Sequence, residues 1–176
     1  VEQWISNKTS DILSRTENTS FVTGTGATKP RGFMTYSAWA VAGTYESGAI
    51  EQINSGSAGA FTPDGLIDLQ NSLIEAYQAN ARFVLRRASF GALMKLKTGS
   101  GEYLFNRALD RNSGRAFDLL GSPVVFASDI AAIASNALAL AYGDFSKAYQ
   151  IVDRTGIRVL RDPYNTLGQV GYYTTK

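Results

Sequence analysis

The spacing of apolar and polar residues changes between helical and extended periods along the chain, which predicts a mixed fold. In residues 1–17, Trp4, Ile5, Ile12 and Leu13 recur at helical intervals between polar residues. This stretch is therefore predicted to form a narrow amphipathic helix.

Glycine-rich and polar stretches then interrupt both periods. Residues 19–32 are rich in glycine and threonine and end in Pro30 and Gly32, which predicts an ordered loop. Residues 33–41 fit a short extended segment. The small, polar residues 43–59 predict a flexible excursion.

The clearest helix signal begins at Thr62-Pro63-Asp64. Proline suits the first helical turn, an early carboxylate suits the positive end of the helix dipole, and apolar residues from Leu66 to Tyr77 share one face. A second helix is predicted to run from a cap at Ser89 to Leu96.

Short apolar runs bounded by turn residues predict the strands. They cover residues 81–86, 102–105 and 137–142, and residues 119–126 are predicted to form a turn followed by a strand. A hairpin is predicted next, in which residues 149–154 pair with residues 157–161 across Thr155-Gly156, because both arms alternate in polarity. Two helices packed on a sheet whose strands come mostly late in the chain define an α+β fold class.

The composition narrows the chemistry without naming a partner. The 176 residues fit about one domain, and a net charge of +2 is too small for the dense basic face that nucleic-acid binding requires. Cysteine and histidine are both absent from the sequence. The chain therefore lacks the commonest general base, the soft metal ligands and the usual catalytic triads, and we expect neither a metal nor a cofactor.

The hydropathy pattern and the two chain ends indicate whether the protein is soluble and whether the sequence is part of a longer one. No apolar run approaches the roughly 20 residues that span a bilayer, and the N-terminus lacks a signal pattern, so we expect a soluble protein. The chain opens on Val1 without an initiator methionine and stops at Lys176, just after the apolar-aromatic residues 170–173. Both ends are interpreted as cuts through a longer polypeptide.

Two further patterns are candidates for chemical sites. Residues 23–26 with Lys29 could form a phosphate loop, but Pro30 follows the lysine and no helix is predicted to begin there, so a structural loop is favoured. Four aspartates could in principle supply a carboxylate pair: Asp129, Asp144, Asp153 and Asp162. Nothing in their spacing brings two of them together, and no catalytic residue is assigned.

Two clusters of arginine are the remaining candidates for a functional surface. The cluster from Arg82 to Arg87 is interpreted as solvated surface. The cluster from Arg154 to Arg161 lies near four tyrosines between residues 149 and 173, and protein interfaces are enriched in arginine and aromatic residues. Subunit contact and ordinary surface fit this second cluster equally well.

Four stretches follow one another in an order that matches a known family. They are Phe21–Gly26 with Lys29–Gly32, Asp68–Tyr77 with Ala79–Val84, Leu93–Lys97 and Gly101–Phe105, Leu120–Val125, and Tyr142–Ser146 with Tyr149–Arg154 and Val159–Asp162. In this order they resemble the Hong Kong 97-like major capsid family of tailed bacteriophages, whose fold is shared with encapsulins and gene-transfer-agent shells. Residues 43–60 are the stretch left unmatched.

The resemblance implies a division of the α+β chain into parts of a capsid fold. Residues 1–32 would be the end of the spine helix and a glycine-rich loop of the peripheral domain. Residues 33–162 would form the axial domain around the five- and six-fold axes, and residues 163–176 would return toward the peripheral domain. The family's N-terminal arm, extended loop and final peripheral strands have no counterpart in these residues.

The resemblance also implies a function. The expected role is that of a major capsid protein, not an enzyme, which forms pentamers and hexamers in an icosahedral or prolate virion shell assembled in the bacterial cytoplasm. The shell would enclose DNA without sequence-specific contacts, and scaffold or portal proteins are further partners. The alternatives are an encapsulin-like container and a small α+β ligand-binding or enzyme domain that uses the glycine loop.

The same resemblance gives candidate contact residues. The Thr155-Gly156 turn and residues 163–165 would face neighbouring subunits around the axis. The residues expected to make subunit contacts are Arg158, Arg161, Asp162 and Asn165.

Overall fold

The computed structural model describes residues 2–41, 43–105, 117–152, 156–165 and 168–175. The helices are α1 (Glu2–Thr23), α2 (Pro63–Asn71), α3 (Glu75–Gln78), α4 (Arg87–Leu93) and α5 (Phe145–Ala148), with a 3₁₀ helix at Phe33–Thr35. The strands are β1 (Ser37–Ala38), β2 (Ala49–Ile50), β3 (Arg82–Leu85), β4 (Asp118–Leu119), β5 (Ser122–Phe126), β6 (Leu140–Gly143), β7 (Arg158–Asp162) and β8 (Gly171–Thr175).

Helix α1 is longer than the sequence pattern predicted. The hydroxyls of Thr16, Ser20 and Thr23 each donate to the carbonyl four residues earlier, at 2.9, 2.9 and 3.0 Å. These residue types favour loops because their side chains can bond to nearby backbone, but here the bonds lie within the helix. The predicted loop over residues 19–23 is therefore wrong, and the loop begins at Gly24.

The central sheet has the strand order β4-β5-β3-β6. Strand β3 pairs in parallel with β5 and antiparallel with β6, so that Phe83 lies opposite Val124 on one side and Tyr142 on the other. Strand β4 continues the sheet by antiparallel pairing with β5. Strands β5 and β3 are both paired on each edge, and β3 supplies Phe83 and Leu85, which have no exposed surface.

Apolar residues cover both faces of β3. On one face, Phe83 and Leu85 pack with Leu66 of α2 and Leu93 of α4, which confirms the prediction of two helices on a sheet. On the other face, Val84 packs in a cluster with residues from the end of α1 and from the segment after β5, namely Val22 and Ile130. The C-terminal end of α1 is thus fixed against the sheet.

Helix α2 begins where it was predicted to begin. The Thr62 hydroxyl accepts a hydrogen bond from the Gly65 amide at 3.1 Å and donates to the Ser55 carbonyl. The predicted single helix through Tyr77 is interrupted, because Ile74 has extended backbone and α3 starts after it. Through Thr62, the preceding residue Ser55 is hydrogen-bonded to the first turn of α2.

The second helix was predicted correctly in position but not in its cap. Residue Arg86 occupies the N-cap position of α4, and Ser89 lies inside the helix with 1% of its surface exposed. Its hydroxyl has no hydrogen-bond partner among the described residues. Strand β3 runs almost directly into α4, which leaves no separate turn for a serine cap.

The predicted hairpin is wrong. Strand β7 pairs antiparallel with β8 instead of with residues 149–152, which form no strand. The Tyr149 hydroxyl donates to the Arg31 carbonyl at 3.0 Å, and its ring lies 5.8 Å from that of Phe21. Alternating polarity identifies a strand but not its partner. Residues 153–155, including part of the predicted turn, lie outside the described residues.

Candidate assembly surface

The glycine-rich loop has a structural role in closing the end of α1. The Gly24 amide donates to the Ser20 carbonyl, and the Gly32 amide donates to the Gly24 carbonyl, both at 2.9 Å. The loop also follows a helix C-terminus, which carries partial negative charge and disfavours an anion. Both amides already donate hydrogen bonds to backbone carbonyls, so they are not available to a phosphate. The geometry therefore favours a structural loop over a phosphate-binding loop.

The described aspartates among the four candidates are used separately. Asp129 accepts a hydrogen bond from the Thr19 hydroxyl at 2.9 Å, and Asp144 caps α5 by accepting from the Ser146 amide at 3.0 Å. Asp162 accepts from the Tyr164 amide at 3.0 Å, which orders the turn after β7. Asp153 lies outside the described residues. No group of three or more metal-ligating side chains occurs in the described part of the chain.

Strands β7 and β8 form an exposed two-stranded ribbon. In its register Leu160 lies opposite Tyr173, and Arg161 lies opposite Tyr172. Successive side chains of a strand point to opposite faces, so the Leu160–Tyr173 pair and the Arg161–Tyr172 pair lie on different faces. Leu160 is 62% exposed and Tyr173 is 66% exposed, which leaves a directly paired apolar patch open on one face.

The four candidate contact residues divide between the parts of this ribbon. Arg158 and Asp162 share the face that carries Leu160, whereas Arg161 lies on the opposite face. Asn165 is exposed beyond the end of β7. The fold therefore places Arg158 and Asp162 around the open apolar patch and separates Arg161 from them.

Sequence reasoning missed the Leu160–Tyr173 pair. The available signal was the apolar-aromatic run at residues 170–173, which became strand β8. The wrong partner was assigned to β7, so the cross-strand neighbours of the arginines were also wrong.

The described part of the chain therefore combines a mixed α+β core with an exposed β7–β8 ribbon. The described aspartates weighed as a carboxylate pair each have a separate, local hydrogen-bond partner. No helix in the described ranges is both long and apolar enough to cross a membrane.

The chain belongs to the phage capsid family, whose model matches residues 1–176. Family and fold are those of a structural protein and not of an enzyme. A comparison with curated proteins found no match.

Two solved structures share the fold across nearly the whole chain. They are the capsid of an empty gene-transfer-agent particle and the capsid of a native one, both computed with C5 symmetry. Each is 36% identical in sequence, has a TM-score of 0.88 and covers 99% of this chain. This chain spans 60% and 59% of the length of those two chains. The prediction of an α+β capsid fold is confirmed.

Proposed function

We propose that this chain acts as a major capsid subunit that assembles with copies of itself into a closed icosahedral shell. The observation that carries the proposal is the capsid fold over 99% of the chain at 36% identity. A shell needs complementary surfaces that repeat under symmetry, and it needs no active site. Many weak contacts per subunit would make the assembled shell stable.

The proposal includes the division into parts of a capsid subunit. Residues 1–32 would belong to the peripheral domain, residues 33–162 to the axial domain and residues 163–176 to the return toward the periphery. Strands β7 and β8 lie on either side of the second boundary and pair along their lengths. The ribbon would then act as one element at the junction of the two domains.

Electron microscopy of the full-length gene product tests the shell function. Closed particles of uniform diameter with five-fold vertices are the expected result, and a product that remains monomeric under all assembly conditions would contradict it. The nucleic-acid content of the particles separates a shell that encloses DNA from the encapsulin-like alternative. Nuclease-protected DNA is expected, whereas a protein cargo without DNA would favour the container.

The exposed ribbon is proposed as a contact surface between subunits. We expect Leu160→Asp to lower the yield of closed particles about tenfold or more, because loss of an interface hot spot costs about 2 kcal/mol or more and the new carboxylate would be buried in the contact. The measurement is the particle fraction after sedimentation. The Arg158, Asp162 and Asn165 side chains would surround this anchor, and Arg161 would serve a contact on the opposite face.

The control for this prediction is Val152→Asp. Val152 is 80% exposed and lies outside the ribbon, so the same kind of change is expected to leave particle yield within about twofold. Equal losses in the two proteins, or normal yield from Leu160→Asp, would show that the ribbon makes no essential contact.

A further inference from the structure

Charge is distributed unevenly along the folded chain. Between Arg31 and Arg82 the sequence contains no lysine or arginine but five carboxylates: Glu46, Glu51, Asp64, Asp68 and Glu75. The following described stretch, residues 82–105, carries five cations and one carboxylate: Arg82, Arg86, Arg87, Lys95, Lys97 and Glu102. The small net charge of the whole chain therefore hides two oppositely charged segments.

The negative segment exposes carboxylates and apolar side chains on α2 and at the start of α3. Asp64, Ile67 and Asp68 are exposed at spacings of three and four residues, which place them on one helix face. Ile74, Glu75 and Tyr77 are exposed at and within α3. We call these six residues the acidic face. Within the described ranges, none of its three carboxylates is in an ion pair.

The positive segment borders a groove beside α4. This groove has a volume of about 440 Å³, and its lining includes Arg87, Phe90, Met94, Tyr103 and Phe117. We call these five residues, together with Lys97, the basic groove. Its lining is therefore aromatic and apolar, with cations at its border.

The two cations of the basic groove are held against aromatic rings. The Arg87 guanidinium lies 5.5 Å from the Phe117 ring centroid and 5.2 Å from that of Phe126. The Lys97 ammonium lies 5.1 Å from the Tyr103 ring centroid. Such cation–π contacts position a charge without neutralising it, so both cations remain available to a carboxylate.

Helix α3 precedes β3 in the chain, α4 follows it, and a four-residue strand is about 13 Å long. Leu66 of α2 and Leu93 of α4 pack on the same face of β3, so α2 and α4 lie on one side of the sheet. Within the described residues no ion pair joins the acidic face to the basic groove, and the charges of both surfaces are available to another copy of the chain.

Two different complementary surfaces on one chain give a head-to-tail contact, which closes into a ring when the rotation fits. The similar capsids were computed with C5 symmetry, and a five-fold ring is built from contacts of this kind. A two-fold contact would instead use the same surface on both copies.

Building on the proposed function, we propose that the acidic face of one copy docks into the basic groove of the next copy around each capsid ring. Asp68 and Glu75 would pair with Arg87 and Lys97, while Ile67, Ile74 and Tyr77 would cover the apolar lining. Interfaces combine aromatic residues and arginine in this way, and complementary charge fixes their register.

Duplex DNA is the rival occupant of the basic groove. A duplex presents one negative charge per about 1.7 Å of its axis, and proteins that bind it use an extended set of cations. The groove holds two ordered cations over an aromatic lining, and an acidic, apolar face exists on the same chain. These features favour a second copy.

Reversal of charge in the full-length protein tests the contact. One protein carries Asp68→Lys and Glu75→Lys, and a second carries Arg87→Glu and Lys97→Glu. Asp64 is left unchanged because it lies in the first turn of α2, where a carboxylate stabilises the helix. Glu75 also lies in a first turn, that of the four-residue α3, and the melting temperature of the reversed protein shows whether the fold tolerates its change. Each protein then presents two like-charged surfaces, and ring and shell yield is expected to fall about tenfold or more.

Restoring complementarity should restore assembly. A protein with all four changes is expected to recover particle yield to within about threefold of the parent, because opposite charges face each other again. An equal mixture of the two reversed proteins is expected to form rings in which they alternate. Alternation closes in six-membered rings but not in five-membered ones, so electron microscopy should show the former without the latter.

The matched control is Lys8→Glu with Lys147→Glu, which lowers the net charge by the same amount as Arg87→Glu with Lys97→Glu but outside both surfaces. It is expected to assemble normally, and thermal melting of every protein verifies folding.

Equal losses in the control, or no recovery in the four-change protein, would overturn the proposal. Loss of only the protected DNA in the Arg87 and Lys97 protein would assign the groove to DNA instead. Failure of the parent to form shells would overturn the proposed function itself.

Discussion

Replacement of Phe83 by alanine is expected to lower the free energy of unfolding by about 3–5 kcal/mol. Phe83 has no exposed surface, and its ring centroid lies 4.4 Å from that of Tyr142. Strand β3 is held by β5 and β6, so the backbone cannot collapse into the cavity that the change would leave. Small domains are stable by only about 5–15 kcal/mol, which makes this loss a large fraction of the total. Urea unfolding followed by circular dichroism measures it.

An exposed aromatic residue supplies the control for Phe83. Tyr164 is 92% exposed, and Tyr164→Ala is expected to change the free energy of unfolding by less than about 0.5 kcal/mol. A loss below about 1 kcal/mol for Phe83→Ala, or equal losses for the two changes, would contradict the central position of β3 in the core.

The position of β3 could be predicted from the sequence, but its partners could not. An apolar run between Arg82 and Arg86 is a local signal for a buried strand, and it proved correct. Pairing with β5 and β6 joins segments that lie far apart in the chain, and no local pattern encodes that register. The same limit explains why β7 was assigned to the wrong neighbour.

Helix boundaries depended on side-chain bonds that composition does not reveal. Thr62 and Pro63 marked the start of α2 correctly, because a cap and a first-turn proline act at fixed positions. Threonine and serine near the end of α1 suggested a loop, but their hydroxyls bond back to the helix. Serine and threonine suit both loops and helix ends, and the surrounding residues determine which of the two structures forms.

The assembly surfaces were only partly accessible from the sequence. The arginines near β7 were recognised, while their position relative to the Leu160–Tyr173 pair depended on β8. The absence of cations between Arg31 and Arg82 is visible in the sequence, but the aromatic groove that Arg87 borders is formed only in the folded chain.

Replacement of Gly24 by alanine is expected to destabilise the protein by about 1–3 kcal/mol, the range for overpacking. A β-carbon at this position would collide with the carbonyl oxygens of Pro30 and Ser20, which are backbone atoms and cannot rotate away. The loop would have to separate from the end of α1, where Val22 contributes to the core on the second face of β3. Thermal and urea unfolding would both show the loss.

The same substitution at Gly91 is expected to have the opposite sign. Gly91 lies in α4, and an added β-carbon there meets no atom within 4 Å. Alanine in a helix interior is favoured over glycine by about 0.5–1 kcal/mol, so Gly91→Ala should raise stability. If both proteins were stabilised, the loop could not lie against α1 as described. Opposite signs would establish that Gly24 is required for close backbone contact, because the chemical change is identical at the two positions.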